Sequence, residues 1–266
     1  VRRRIHAFYV LNFDRRSGIP VEPFTPDNGS ESGRLAGIAP SANSQTTPEK
    51  TPVDDSPAYN YRVKSPKLGL LYFDVPKNAS SSIKTLMWSV EHKDRYDSRY
   101  SMFITYAFWQ QKFPGMVVQW SDIVDLPYIK FTFLRNPYDR LVSGYRNSGW
   151  RFHYQDTTFE QFVESLPERL ETPPTDTHNN HYKPLSYFIP KRGGRFCLDF
   201  IGKIENFADD LTSLLHACNI HIDVRSLSVA NKTKKRDHYR SYYTAHTRKI
   251  AEKTYGEDIE LGKYVF

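Results

Sequence analysis

The stretch "YFDVPKNASSSIKTLMWSV", Tyr72 to Val90, decides the fold. Its front half belongs to the run "LGLLYFDV" (Leu68 to Val75), short and nearly continuous in apolar residues, which suits a strand covered on both faces. Its back half sets Ile83, Leu86, Met87 and Val90 at the i, i+3, i+4, i+7 spacing of one helical face. Between the two stand Pro76, Lys77, Asn78 and Ala79, followed by Ser80, Ser81 and Ser82. A turn between core elements needs neither a lysine nor a serine cluster, whereas a loop that holds an anion uses both.

The same unit recurs. "YIKFTFL" (Tyr128 to Leu134) predicts a second buried strand, and after "RNP" come Tyr138, Leu141, Val142 and Tyr145 at helical spacing, with Pro137 where a first-turn proline is tolerated. "FCLDFIGKI" predicts a third strand, followed by a helix capped by Asn206 with Phe207, Leu211, Leu214 and Leu215 inward. In "TTFEQFVESL" Thr158 and Gln161 stand in a capping-box relation. Strands alternating with helices imply an α/β fold with a mostly parallel sheet.

Composition bounds the rest. The chain has 266 residues, a formal charge of +7 and 15% aromatic residues, enough for one large domain or two small ones and a basic surface that favours anionic ligands without choosing among them. The two cysteines, Cys197 and Cys218, are too few for a disulfide framework, and one bridge or two thiols fit equally. No run approaches the roughly 20 apolar residues of a membrane helix, so membrane attachment is expected only through an anchor outside this sequence. Residues 1–16 form an N-terminal segment read as a strand rather than a signal peptide. Residues 17–66 are rich in Pro, Ser, Gly, Thr and Asn and read as a linker or long loop, and 67–266 as the folded domain.

In a parallel α/β sheet, ligands sit beyond the C-terminal strand ends, where helix N-termini aim free N–H groups at them. Lys77 to Ser82 occupies that position after the first strand; Ser80 or Ser81 acting merely as a helix cap is the alternative. "FTFLRNPYDRLVSGYRN" likewise ends a strand with a cation, Arg135, and carries Ser143 about two turns into the next helix. That suits a second phosphate, or else Arg135 pairs with Asp139 and Ser143 is a packing residue. The loop is not the glycine-rich GxxxxGK[ST] of ATP and GTP enzymes, because its lysine comes first and glycine is absent.

With these residues in view, "VPKNASSS" resembles the 5′-phosphosulfate loop, and "RNPYDRLVSGY" the 3′-phosphate motif, of sulfotransferases that use 3′-phosphoadenosine-5′-phosphosulfate (PAPS). The likeness is strongest to the Golgi carbohydrate sulfotransferases of the chondroitin, dermatan and HNK-1 type. It continues in "NNHYKP", similar to that family's His-Trp-Arg-Pro segment, in "LDFIGKIENFADD", and in the final "YYTAHTRKIAEKTYGEDIELGKY". Tyr182 stands where the family has Trp, and Ser80-Ser81 where it often has Cys-Thr.

The resemblance implies sulfuryl transfer from PAPS to a carbohydrate hydroxyl, with release of adenosine 3′,5′-bisphosphate. The fold expected is a P-loop-like three-layer arrangement, a central mostly parallel sheet flanked by helices. The set expected to bind PAPS is Pro76, Lys77, Asn78, Ala79, Ser80, Ser81, Ser82, Arg135 and Ser143, with Lys232 and Lys234 from the basic run "NKTKKRDHYR". Lys77 serves catalysis, and His181 is the leading base because neutral imidazole is matched to neutral pH; Glu91 and His92 are alternatives, and His181 bonding within the fold is a further one. His178 and His181 lack a third ligand, so no metal is expected. Asn28, Asn78 and Asn231 open glycosylation triplets, though a glycan on Asn78 would obstruct the nucleotide. No nucleic-acid partner is expected; a non-catalytic nucleotide- or glycan-binding module and an ATP-dependent phosphotransferase are the alternatives. The compartment expected is the Golgi lumen for part of a type II membrane protein and the cytoplasm otherwise.

Overall fold

A computed structural model describes residues 62–92, 126–146, 157–171, 179–222 and 238–266, together with Ile123, Val224 and the pairs 12–13 and 20–21. Strands β1 (Asn12–Phe13) and β2 (Pro20–Val21) pair antiparallel. The main sheet starts with β3 (Arg62–Ser65), which turns back as β4 (Leu70–Phe73) in antiparallel register, Ser65 opposite Leu70 and Arg62 opposite Phe73. A loop of residues 74–79 then leads into α1 (Ser80–His92). The strand β5 (Ile129–Leu134) lies parallel to β4 and runs into α2 (Pro137–Tyr145).

Short helices α3 (Phe159–Glu164) and α4 (Leu166–Leu170) follow, then two single-turn 3-10 helices, Asn179–Tyr182 and Leu185–Tyr187. A hairpin of β6 (Lys191–Arg192) and β7 (Arg195–Phe196) turns through Gly193 and Gly194, both at positive φ, a two-residue turn for which glycine is the natural residue. Next, β8 (Phe200–Lys203) joins β5 in parallel and precedes α5 (Phe207–Ala217), with α6 (Ala245–Thr254) and α7 (Gly256–Gly262) completing the described strands and α-helices. Sheet order is β3-β4-β5-β8, with only β3 antiparallel.

Alternation along each strand explains how both sheet faces are filled. Leu70, Tyr72, Phe131, Phe133 and Phe200 face Ile83, Leu86 and Met87 of α1 and Leu211, Leu214 and Leu215 of α5. Leu71, Phe73 and Leu134 face the opposite side, where Leu185, Phe188 and Ile189 cover them. A separate cluster joins Tyr138, Leu141 and Val142 of α2 to Phe159, Phe162, Tyr182, Ala251 and Tyr255. Both apolar faces predicted for α1 and α2 are therefore in use. No helix among the described residues is long and apolar enough to cross a membrane.

Several local expectations are met and several change. The capping box of Thr158 and Gln161 forms in both directions, and Pro137 occupies the first turn of α2. Asn206 stands at the N-cap of α5 but its side chain makes no capping bond; Asp210 in the first turn accepts the Lys203 N–H at 2.7 Å instead. The run "FCLDFIGKI" is not one strand, because Phe196 ends β7 and strand β8 begins at Phe200, with the Asp199 carboxylate taking the Lys130 N–H between them. β3 lies inside the segment 17–66 assigned by composition to a linker or long loop, so the sheet starts before residue 67. Cys197 and Cys218 are unbridged.

The center of the sheet is tight. Gly202 sits opposite Phe133 across β8 and β5, and a Cβ there would lie 2.4 Å from the ring. Gly202→Ala is expected to cost about 1–3 kcal/mol of stability through overpacking, read as a lower urea midpoint with an unchanged slope.

Candidate active site

The loop between β4 and α1 has an unusual backbone for its sequence. Lys77 and Ala79 both adopt positive φ, 70° and 60°, a region that costs an L-residue roughly 1–2 kcal/mol where glycine goes freely. One side chain of the loop and two from the strand end and helix that follow hold it there. Asn78 is buried and donates Nδ2 to the Phe133 carbonyl at 2.8 Å, Arg135 Nη1 reaches the Lys77 carbonyl at 3.1 Å, and Arg140 Nε the Pro76 carbonyl at 3.3 Å. Thr132 Oγ1 pins the end of β4 through the Phe73 carbonyl at 2.9 Å.

With the carbonyls pulled inward, N–H groups are left facing the other way. The Ala79 carbonyl accepts from Ser82 and Ile83, so α1 starts on a tight turn, while the N–H groups of Ala79, Ser80 and Ser81 have no partner among the described residues. Three successive open amides stand at the positive end of a 13-residue helix, a donor arrangement suited to an anion. The only carboxylate close to this turn in sequence, Asp74, is matched by Lys84 of α1 at 2.7 Å, which removes a charge that would oppose an anion. Asn78 and Ser82 were expected among the ligands, but both are buried; Asn78 latches the loop and the Ser82 N–H is already bonded.

Arg135 lies at the same strand ends. Its Nε meets Asp139 at 2.7 Å, the ion pair foreseen as one alternative, and that pair aims the guanidinium at the Lys77 carbonyl. Ser143 is half-buried on α2, about two turns further on. Around them Asn136 N–H donates to Glu205, which also accepts from Tyr264, and Lys203 Nζ reaches the Gly262 carbonyl, so the tail after α7 borders the strand ends.

His181 occupies the 3-10 turn Asn179–Tyr182 and is half-buried. Its neighbours are tied to α2. The Tyr182 ring packs where a Cβ on Gly144 would meet it at 2.6 Å, and the Tyr182 carbonyl accepts from Tyr255 at 2.6 Å. Arg140 Nη2 donates to the Lys183 carbonyl at 2.5 Å, and Nη1 pairs with Asp258 of α7 at 3.4 Å. One guanidinium therefore bonds both the loop before Lys77 and the segment after His181. Sequence reading overlooked Arg140; its one local signal is its helical face, shared with Ser143 and Gly144 at i+3 and i+4.

Glu91 is not brought to this site. Its carboxylate accepts from Ser65 Oγ and Lys67 N–H in the β3–β4 turn, at the opposite end of α1 and about 16 Å along the helix from Ser80. His92 ends the same helix. Lys232 and Lys234 fall outside the described residues, as do His178 and the triplets at Asn28 and Asn231.

Asp258 is the buried acid of the cluster. Burial pushes its carboxyl up to about 6, against the Arg140 guanidinium and the Leu185 N–H, which favour the charged form; Glu257 raises it further and Lys191 lowers it. Between the ordinary aspartate value and about 6 the folded chain holds a proton that the unfolded chain has released. This group's contribution to stability is therefore full below about pH 4 and is lost as pH rises through about 6. Urea unfolding of the wild type and Asp258→Asn at pH 4 to 7 checks this. The wild type should lose stability relative to the variant across that range, by on the order of 2 kcal/mol.

A sulfotransferase family model matches residues 60–265. Its first matched residue precedes β3, in agreement with the sheet starting at Arg62. Among curated proteins and among solved structures nothing matches. The matched region contains the β4–α1 loop, Arg135, Arg140, His181 and Asp258, so the site and the family assignment concern the same part of the chain. The chain belongs to the sulfotransferase family, whose members transfer sulfuryl groups to an acceptor.

Proposed function

We propose that the protein transfers the sulfuryl group of PAPS to a hydroxyl of a carbohydrate and releases adenosine 3′,5′-bisphosphate. The observation that carries this reading is the turn at Lys77 and Ala79, whose positive φ leaves the amides of Ala79, Ser80 and Ser81 open at a parallel strand end. A glycine-free loop under backbone strain is kept only where the surrounding structure enforces it, which is a mark of functional sites. The sheet covered on both faces supports a P-loop-like three-layer fold. Likeness of "RNPYDRLVSGY" and "NNHYKP" to the Golgi carbohydrate sulfotransferases supports the donor and the acceptor class.

The residues then divide the work. Lys77 and the amides of residues 79–81 hold the 5′-phosphate, with the Ser80 and Ser81 hydroxyls beside them. Arg135 and Ser143 take the 3′-phosphate, and Lys232 and Lys234 close over it. As the acceptor oxygen bonds to sulfur and the bond from sulfur to the 5′-phosphate oxygen breaks, His181 in its neutral form removes the acceptor's proton. Negative charge gathers on the departing phosphate, where Lys77 and the amides stabilise it most strongly. Apart from that proton transfer, every contribution is positioning or electrostatics.

Radiolabelled PAPS offered with a panel of glycans and small alcohols tests the reading. Label should pass to a carbohydrate, and Lys77→Ala should lower kcat by on the order of 100-fold or more. Arg135→Ala should weaken adenosine 3′,5′-bisphosphate binding about tenfold in calorimetry. Tight binding of the bisphosphate without transfer to any acceptor, or turnover with ATP and magnesium alone, contradicts the proposal.

A further inference from the structure

Arg140 is not itself assigned to donor or acceptor, yet its contacts join segments that are. The side chain is 4% exposed and touches three separate segments: the Pro76 carbonyl of the loop, the Lys183 carbonyl, and the Asp258 carboxylate. Asp258 in turn accepts the Leu185 N–H, and the guanidinium stands 5.9 Å from the Phe188 ring, so the segment after His181 is held from two sides.

An ion pair alone does not explain this residue. Buried pairs stabilise little compared with apolar side chains of the same volume, so Asp258 gives no reason for a guanidinium. The two backbone carbonyls do, because only a planar fork donates in several directions at once. The peptide plane transmits the effect. Carbonyl and N–H point in opposite directions across a trans peptide, so holding the Pro76 oxygen inward turns the Lys77 N–H outward, at the residue with φ of 70°. At the other carbonyl, Pro184 follows Lys183 and has no N–H, so that peptide is oriented only through the oxygen that Arg140 holds.

We propose that Arg140 is a positioning residue for the transfer reaction, fixing the Pro76–Ser81 loop and the Asn179–Lys183 segment relative to each other so that Lys77 and His181 face one reacting group. The proposal rests on the function proposed above for those two residues. Arg140 itself touches neither donor nor acceptor. Its loss leaves both half-sites present and misaligned.

The test uses the whole chain and two variants, Arg140→Met and the double variant Arg140→Met with Asp258→Asn. The double variant keeps an acceptor for the Leu185 N–H and leaves no lone buried charge, so it stays informative where the single variant fails to fold. Hydrogen exchange is followed at Asn78, Ser82 and Ile83 in the loop turn and at Leu185, Phe188 and Ile189 beyond His181, with the β5 amides as internal reference. Exchange should rise by about tenfold or more in both sets while β5 changes by less than about twofold. In sulfate transfer from PAPS, kcat should fall by on the order of 100-fold, well beyond the loss of adenosine 3′,5′-bisphosphate affinity. A uniform rise in exchange including β5, or an unchanged pattern with normal kcat, overturns the proposal. If the wild type neither binds the bisphosphate nor transfers sulfate, the functional reading fails, and the exchange pattern separately decides whether Arg140 couples the two segments.

Discussion

The site depends on one turn that its own residues do not favour. Lys77 and Ala79 are driven into the left-handed region where a nucleotide-binding loop ordinarily uses glycine. The strain persists because Arg135 and Arg140, from the strand end and helix that follow, each take a carbonyl of the turn, Lys77 and Pro76, while Asn78 of the turn itself donates to the Phe133 carbonyl of β5. The two arginine bonds draw turn oxygens inward and the Asn78 bond ties the turn to β5, which fixes where the open amides at Ala79, Ser80 and Ser81 point. The shape of this turn is thus a product of tertiary packing, and β5 has to be in register with β4 before it is held.

That requirement explains the heavy central strand. β5 is paired on both sides in parallel and carries Phe131 and Phe133, which meet Tyr72 and Phe207 at ring distances of 5.2 and 5.0 Å. Filling one face with rings leaves room for only glycine opposite Phe133. The same strand then supplies the Thr132 hydroxyl, the Phe133 carbonyl and, just past its end, Arg135. Core packing and site geometry are set by the same residues, so a shift of β5 would disturb both. Charges around the site are balanced locally, Asp74 by Lys84, Asp139 by Arg135 and Asp258 by Arg140.

Much of this was legible in the residues. The runs Leu68 to Val90 and Tyr128 to Tyr145 carried strand, loop and helix in order, because a strand buried on both faces and a helix buried on one leave unmistakable periodicities. The place of the β4–α1 loop between strand and helix was legible for the same local reason. What failed was nonlocal. β3 hid at the end of a polar segment, since a four-residue strand containing Arg62 and Lys64 has no apolar alternation to reveal it. Glu91 stood as an alternative base through the family resemblance, although the rise of α1 carries it to the opposite end of the strands, beside Ser65 and Lys67. Arg140 and Asp258 are 118 positions apart, and no spacing rule connects them.

The most direct measurement is a crystal structure with adenosine 3′,5′-bisphosphate. The turn predicts one phosphate about 3 Å from the amide nitrogens of Ala79, Ser80 and Ser81, with Lys77 and Ala79 still at positive φ, and the other beside Arg135 and Ser143. A bisphosphate bound elsewhere while those amides face solvent, or a loop relaxed to negative φ at both residues, would contradict it.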